Sequence, residues 1–465
     1  MAARFGTSGL RGLVEELSRP VCQAYTRAFV RALVGPGVGI ALGIDRRPSS
    51  PAIAQFCFEA ARAEGREVEF CGILPTPALA WYAQTRGMAA IMVTGSHIPF
   101  DRNGIKFYTP HGEISKDDEG RITAHLEWEE APQGALPEAS PRALGAYVDR
   151  AMDAFGPGGL SGWRVGVYEH SSASREVLCR VLEQCGAQVV GLGRTDSFVA
   201  LDTEALSAQD RALAQQWVGE HGLQALLSTD GDGDRPMLAD ATGTWWRGDV
   251  LGLVAATALG IACVALPVSC TTAVEGCGRF TQVRRTRIGS PYVVAAMEEL
   301  LGCCPGPVAG FEANGGFLLG SDLLLEGRIL QRLPTRDALV PLVAVLHHAA
   351  RRGVPVAQLR QELPQRCTAS QRLQDFPNSK SQELLALLAV DTPLRDQLLA
   401  AAAGTVLHLD TTDGLRWTFS SGEILHLRPS GNAPELRCYA EATSLERAEA
   451  LVEATLVAVA AWVRR

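Results

Sequence analysis

The stretch Ala89-Ala90-Ile91-Met92-Val93-Thr94-Gly95-Ser96-His97-Ile98-Pro99-Phe100-Asp101-Arg102-Asn103-Gly104-Ile105-Lys106 decides how this chain is read. Its first five residues are an apolar run that predicts a short buried strand. The residues after Val93 cannot go straight on into a helix, because Pro99 lacks an N–H and biases Ile98 away from helical dihedrals. Asn103-Gly104 predicts a second turn. The expected result is an exposed loop with Ser96 at a strand end beside His97, and with Lys106 folding back towards them. A hydroxyl so placed can act as a nucleophile or phosphate carrier once a base or metal activates it. Ser, Asn, Gly and Pro also dominate ordinary turns, so the stretch alone fits a plain turn equally well. The lysine shifts the balance towards chemistry. Only Lys106, Lys116 and Lys380 among the 43 Lys and Arg residues are lysine. Where charge suffices this chain uses arginine, so a lysine here suggests a proton that can be given up near neutral pH.

Working outward, 465 residues exceed one compact core and suggest about three or four domains. The net charge of −8 and the lack of a long Lys/Arg block argue against a nucleic-acid footprint. An anionic small-molecule substrate would need local basic groups to overcome that field. The twelve cysteines show no C-x-x-C spacing, and Cys303 and Cys304 are adjacent. They predict reduced, mostly buried thiols in a cytoplasmic protein. The first residues lack the apolar core of a signal peptide. The stretch 250–268 is almost wholly apolar but broken by Gly252, Thr257, Gly260 and Pro267. It predicts a buried helix over 250–259 and a strand over 261–266, not a membrane span.

Ahead of the serine stretch, Phe5-Gly6-Thr7-Ser8-Gly9-Leu10-Arg11-Gly12 is either a floppy tail or a loop able to approach an anion closely. A helix over 21–33, a strand over 39–44, a helix over 51–63 and a strand over 68–73 complete an α/β unit. The acidic, proline-containing 127–141 leads to a second unit that begins near residue 144. Strands are predicted over 163–168, 188–192 and 225–228, with a helix over 174–184 starting at a Ser174 cap. The last strand feeds Thr229-Asp230-Gly231-Asp232-Gly233-Asp234-Arg235. Aspartates at alternate positions can converge three carboxylates on one point, which suits Mg²⁺ with a substrate phosphate completing the shell. An EF-hand would need Gly and Glu where Arg235 and Ala241 stand. A plain solvated turn competes, but the carboxylates crowd directly after a buried strand, and Arg235 is placed to hold a phosphoryl group.

A third unit repeats the pattern, with strands over 261–266 and 281–285 and helices from about 272 and over 292–301. Its loops carry Thr286-Arg287-Ile288-Gly289-Ser290 and Gly310-Phe311-Glu312-Ala313-Asn314-Gly315-Gly316. Glu312 and Asn314 suit paired hydrogen bonds to adjacent sugar hydroxyls, although in isolation this loop reads as a structural turn. The last hundred residues predict an antiparallel α+β module. Strands over 406–409 and 415–419 flank an Asp413-Gly414 turn, and two more run over 424–427 and 436–439. A helix over 445–463 opens on a Thr443/Glu446 capping pattern. Between the last two strands, Arg428-Pro429-Ser430-Gly431-Asn432-Ala433-Pro434 is a phosphate nest or a plain connecting loop.

Taken in order, Ser-His, triple Asp, Glu-x-Asn-Gly-Gly and Arg-Pro-Ser-Gly resemble the α-D-phosphohexomutase family over essentially the whole chain. The resemblance implies three related α/β domains with mixed sheets, at 1–143, 144–244 and 245–362. It places a C-terminal α+β domain resembling the TATA-binding-protein fold at 363–465. It implies that Ser96 is carried phosphorylated and donates to a hexose 1- or 6-phosphate. A hexose 1,6-bisphosphate then forms, reorients and returns its other phosphate. Mg²⁺ would be held by Asp230, Asp232, Asp234 and the phosphoserine. Lys106 would be the acid/base group, supported by Arg11, with His97 orienting the loop. Arg428, Ser430, Gly431 and Asn432 would hold the phosphate not in transfer, Arg235 and Gly289 would line the substrate, and Glu312 and Asn314 would bind the sugar. The partner implied is a small-molecule hexose phosphate, with no nucleic acid or membrane, for a monomer or dimer.

The chain departs from the usual family residues at Gly95 and Ile98 (often Ala and Asn), at Gly315-Gly316 (often Gly-His) and at Asn432-Ala433 (often Thr-Glu). These forms are most similar to bacterial members acting on mannose phosphates. Glucose or glucosamine phosphates, or sugar-phosphate binding without catalysis, are the alternatives.

Overall fold

The computed structural model describes residues 3–6, 9–430 and 434–463. Its first sheet has seven strands, in the order Arg4–Phe5, Leu10–Leu13, Arg102–Thr109, Ala89–Val93, Ile40–Ile44 and Val68–Ile73, with Gly112–Glu113 against Arg102–Thr109. Ile40–Ile44 pairs parallel with both neighbours, whereas Arg102–Thr109 runs antiparallel to Ala89–Val93. Both Ile40–Ile44 and Ala89–Val93 are buried throughout, which is why they read as unbroken apolar runs.

The turn expected at Asn103-Gly104 does not form. Both residues lie inside the strand Arg102–Thr109, with Gly104 opposite Arg11. A Cβ on Gly104 would stand 2.4 Å from Leu10 O, so this glycine permits close approach of two strands. Lys106 therefore returns to Ser96 by strand pairing, opposite Met92, instead of through an exposed loop.

The second sheet orders Pro236–Asp240, Ala225–Thr229, Arg164–Tyr168 and Gln188–Leu192. Ser174 stands at the N-cap of Arg175–Gln184 as expected, but its side chain makes no cap bond. The third sheet orders Gln282–Thr286, Cys263–Pro267, Val308–Phe311, Phe317–Leu319 and Leu333–Asp337. The apolar stretch divides into the helix Gly248–Ala258 and the strand Cys263–Pro267. Among the described residues no helix is long and apolar enough to cross a membrane. The helix expected from 272 is one short turn, Ala273–Gly276.

The C-terminal sheet is antiparallel, in the order Cys367–Leu373, Leu436–Ala442, Ile424–Pro429, Leu415–Phe419 and Val406–Asp410. Its long helix Leu445–Val463 is capped by Ser444, whose Oγ accepts from Arg447 N at 3.2 Å. The cap lies one residue later than the Thr443 pattern predicts, because the N–H three residues on belongs to Arg447.

One apolar core runs through all three α/β units, including Tyr82 and Met92, Val167 and Leu178, and Phe311 and Val343. The C-terminal module has its own core around Trp417, Leu427 and Leu451. Polar bridges join it to the third unit. Glu441 accepts from Thr272 N and pairs with Arg366, and Asp413 Oδ2 accepts from Ile288 N at 2.9 Å.

The expectation that all cysteines are reduced thiols is corrected at one pair. Cys263 and Cys304 form a disulfide across a Cα separation of 6.5 Å. The partner of Cys304 is not its neighbour but a strand residue 41 positions away, reached because Val293, Met297 and Leu300 pack over that strand. The other ten cysteines are free.

Candidate active site

Three of the expected loops leave the carboxyl ends of strands. Ser96 comes after Ala89–Val93, Asp230 after Ala225–Thr229, and Glu312 after Val308–Phe311. Such ends are where α/β sheets gather their ligands. Ser96 is not exposed, as the sequence suggested, but 4% accessible, because the second unit closes over it. Its φ of 53° is a left-handed conformation that a non-glycine residue holds only when its surroundings fix it. The fixing contacts are dense. Ser96 N donates to Thr94 Oγ1 at 2.8 Å, and Gly95 N donates to Asp45 Oδ2 at 3.3 Å. Ser96 Oγ donates to Asp230 Oδ2 at 2.6 Å and lies 3.3 Å from His97 Nδ1.

Asp230, Asp232 and Asp234 are buried, and one carboxylate oxygen from each lies within 4.8 Å of the other two. Thr76, the first residue of the helix Thr76–Thr85, braces the loop from the first unit. Its N donates to Asp232 O at 2.9 Å and its Oγ1 to Asp232 Oδ2 at 2.6 Å. The positive end of that helix also favours the carboxylate. Lys106 Nζ bridges Asp232 Oδ2 and Asp234 Oδ2 at 2.7 and 2.6 Å. Arg235 Nε lies 3.8 Å from Asp230 and 3.9 Å from Asp234. The Oδ1 atoms of Asp232 and Asp234 are buried without a hydrogen-bond partner. Unpartnered carboxylate oxygens beside a third carboxylate are the hard donors a divalent cation takes, so the residues fit Mg²⁺.

The electrostatics reflect this crowding. Burial, and then the charges of Asp232 and Asp234, push the Asp230 carboxyl well above its ordinary range. Burial also opposes the charged form of Asp232, but the ammonium of Lys106 and the hydrogen bonds from Lys106 and Thr76 overcome it and hold that carboxyl down. For Lys106, burial favours the neutral amine, yet Asp232 and Asp234 outweigh it and raise its pKa. Lys106 therefore keeps its proton here, against the expectation that it readily gives one up. The charge of Arg235, then burial and Arg11, push His97 well below its ordinary value, so the ring beside Ser96 Oγ is neutral. Arg11 joins the group through a 2.5 Å bond from Nη1 to Thr94 O. Burial lowers its pKa against the pull of Asp232 and Asp234.

Glu312 is 2% accessible and accepts from Arg336 Nε at 2.5 Å. The charges of Glu312 and Asp234 outweigh burial and hold the Arg336 guanidinium firmly protonated, and Arg336 in turn acts on His97. Arg336 thus ties the Glu312 loop to the serine and aspartate loops. Asn314 Oδ1 accepts from Gly316 N at 2.9 Å, and Asn314 O accepts from Thr203 Oγ1 at 2.8 Å, which binds the loop to the second unit. At the junction with the C-terminal module, Asp413 Oδ2 meets both Ile288 N and Arg428 Nε, the latter at 3.5 Å. That contact brings the Gly289 loop and Arg428 to one place. Ser430 is buried, and its N donates to Glu435 O at 2.8 Å. Gly431 and Asn432 lie outside the described residues.

Thr76, Arg336 and Arg47, whose Nη2 donates to Ser96 O at 2.8 Å, are residues at this site that the sequence alone does not reveal. The one signal for Arg47 is the charged run Asp45-Arg46-Arg47 directly after a predicted strand. Thr76 and Arg336 give none, since each meets the site only through folding.

A buried serine hydroxyl on a three-carboxylate cluster, ringed by Arg11, Arg235 and Arg336, defines an enzyme that carries a phosphoryl group. The chain belongs to the phosphoglucomutase/phosphomannomutase family. It matches the alpha/beta/alpha domain I of that family over residues 2–133, domain III over 247–367 and the C-terminal domain over 374–457. It is 46% identical to a phosphomannomutase of Salmonella muenchen, covering 97% of this chain and 94% of that protein. A phosphomannomutase of Sinorhizobium fredii is 43% identical, covering 97% of this chain and 98% of that protein. The crystal structure of a putative phosphomannomutase from Thermus thermophilus shares the fold, with a TM-score of 0.78 at 22% identity over 99% of both chains.

Proposed function

We propose that the protein interconverts mannose 6-phosphate and mannose 1-phosphate through a phosphoserine at Ser96 and a hexose 1,6-bisphosphate intermediate. The observation that carries this reading is the 2.6 Å contact of Ser96 Oγ with Asp230 inside the carboxylate cluster. The names of the relatives from Salmonella muenchen and Sinorhizobium fredii, at 46% and 43% identity, support mannose as the sugar.

In the first half of the cycle, a free hydroxyl of the bound hexose phosphate attacks the phosphorus of phosphoserine. The new P–O bond forms as the P–Oγ bond breaks, the sugar hydroxyl loses its proton, and Ser96 Oγ takes one up. The bisphosphate turns over in the cleft, and the same steps run backwards with its other phosphate, so that no phosphate is gained or lost. Lys106, held protonated between two carboxylates, is the acid/base group: it gives its proton to the departing Ser96 Oγ and regains one from the attacking sugar hydroxyl. Neutral His97, 3.3 Å from Oγ, orients the loop. Asp230, Asp232, Asp234 and the phosphoserine would hold Mg²⁺, which neutralises charge on the group in transfer.

Glu312 and Asn314 take the sugar hydroxyls. Arg428, Ser430, Gly431 and Asn432 take the resting phosphate, with Arg235 and Gly289 lining the substrate. The four loops are assigned to domains 1–143, 144–244, 245–362 and 363–465. A panel of mannose, glucose and glucosamine 1-phosphates, assayed with Mg²⁺ and a bisphosphate primer, tests the reading. Preferred turnover of the mannose compound supports it, and selective turnover of the glucosamine compound defeats it.

A further inference from the structure

The serine loop turns its carbonyl oxygens towards one buried guanidinium. Arg47 Nη1 donates to Pro99 O at 2.7 Å and to Arg102 O at 2.9 Å. Its Nη2 donates to Ser96 O at 2.8 Å and to Ile98 O at 2.5 Å. Nε faces Asp45 Oδ2 at 3.3 Å, and the residue is 1% accessible. Gly95 makes the space, because a Cβ there would lie 2.4 Å from Arg47 Cζ. This is one of the positions at which the loop departs from the residue common in the family. From the second unit, the Phe198 ring lies over the guanidinium with its centroid 4.0 Å from Cζ. The metal loop closes the packing. A Cβ on Gly231 would meet Ser96 O at 2.9 Å and the Phe198 ring at 3.4 Å.

We propose that Arg47 is a positioning residue for phosphoryl transfer. Seated in the space left by Gly95 and covered by Phe198, it holds Ser96 in its left-handed conformation and sets the spacing between the serine and metal loops. Four carbonyls converging on one planar fork over-determine the backbone at Ser96, which is what a strained nucleophile requires. Lysine cannot replace it, since a tetrahedral ammonium offers three donors and no fork. Misplacement of a reacting atom by about 1 Å costs roughly 100-fold in rate, so loss of the clamp should be felt in turnover and not in substrate affinity.

This inference rests on the phosphoserine reading above. Its test compares wild type with Arg47→Met and Arg47→Lys in full-length protein. Four quantities are read: kcat and KM for mannose 1-phosphate, the thermal midpoint, and the rate at which Ser96 gains a phosphoryl group from hexose 1,6-bisphosphate by intact mass. Both variants should lose about 100-fold in kcat and in Ser96 phosphorylation, with KM changed by less than about threefold. Lysine should do no better than methionine. Gly95→Ala should slow the wild type in the same way and add nothing further to Arg47→Met, since both disturb one contact. Wild-type phosphorylation rates in Arg47→Met, a loss confined to KM, or full additivity with Gly95→Ala would each overturn the proposal. If Arg47→Met fails to fold, Gly95→Ala and Phe198→Leu decide, and wild-type rates in both refute it. Wild-type protein that never gains phosphate on Ser96 would instead overturn the functional reading, and this inference with it.

Discussion

The serine–carboxylate centre and the side carrying Glu312, Asn314 and Arg428, to which we assign the sugar and its resting phosphate, are built from loops at strand ends, but they are finished differently. At the centre the serine and the aspartates are tied across two units. Ser96 is bonded to Asp230, Lys106 bridges Asp232 and Asp234, and Thr76 and Arg47 brace the two loops. These units also share one apolar core, so the spacing is set by packing as well as by charge. On the other side, Glu312 is held by one arginine, and Asn314 spends its acceptor on its own loop. Arg428 meets Asp413 at 3.5 Å, in a module whose core is separate. The difference suits the chemistry. Phosphoryl transfer needs groups fixed in advance, because reorganisation during the reaction raises the barrier. A site that must accept a bisphosphate in two orientations needs contacts that can be exchanged.

The most severe test of this contrast is at its centre. Ser96→Ala should lower kcat by at least about four orders of magnitude, because it removes the hydroxyl that is bonded to Asp230 and that carries the phosphate in the proposed cycle. Asp232→Asn should cost roughly 1,000-fold in kcat, by removing charge from the cluster and leaving Lys106 with one carboxylate. Robust turnover by either variant, measured with mannose 1-phosphate, Mg²⁺ and primer, would break the comparison. On the sugar side the effects should be smaller and fall on binding as well. Glu312→Gln should lower kcat/KM by about 10- to 100-fold, the worth of one charged hydrogen bond, with KM rising.

The smallest effect concerns the separate core. Burial depresses the His426 pKa from 6.5 to about 4, with its Nε2 held 2.5 Å from Asp413 O. The unfolded chain gains a proton as pH falls through 6.5, whereas the folded chain does not until about 4. Stability is therefore full above 6.5 and is lost as pH falls across that window, by about 1.4 kcal/mol per pH unit and roughly 3 kcal/mol in all. Denaturant melts of the C-terminal module in wild type and His426→Gln should show that slope only in wild type. Activity at pH 7 should be unchanged, and equal slopes would refute the assignment.

Legibility in the sequence depends on how local each feature is. The run Asp230 to Arg235 is readable because its ligands are contiguous and come directly after a buried strand. Strands such as Ile40–Ile44 are readable as apolar runs. Arg102–Thr109 is not, since Asn103-Gly104 carries a strong turn signal, and only the neighbouring strand shows why the glycine is needed. The helix Thr76–Thr85 is buried over most of its length, so it lacks the one-sided apolar stripe that marks a surface helix. Thr76 and Asp232 are 156 residues apart and meet only where two units pack together, and Arg336 and Glu312 are 24 apart across an intervening strand of one sheet, so neither pairing is visible locally. The Cys263–Cys304 pair is hidden because only the packing of the helix Ser290–Leu301 on the strand Cys263–Pro267 brings them together.

The most direct measurement is intact mass with peptide mapping after dephosphorylated protein is incubated with hexose 1,6-bisphosphate and Mg²⁺. A phosphoserine cycle at Ser96 predicts one added phosphoryl group, on that residue, that is discharged by mannose 1-phosphate and absent from Ser96→Ala. A phosphoryl group on another residue, or none at all while turnover proceeds, would contradict it.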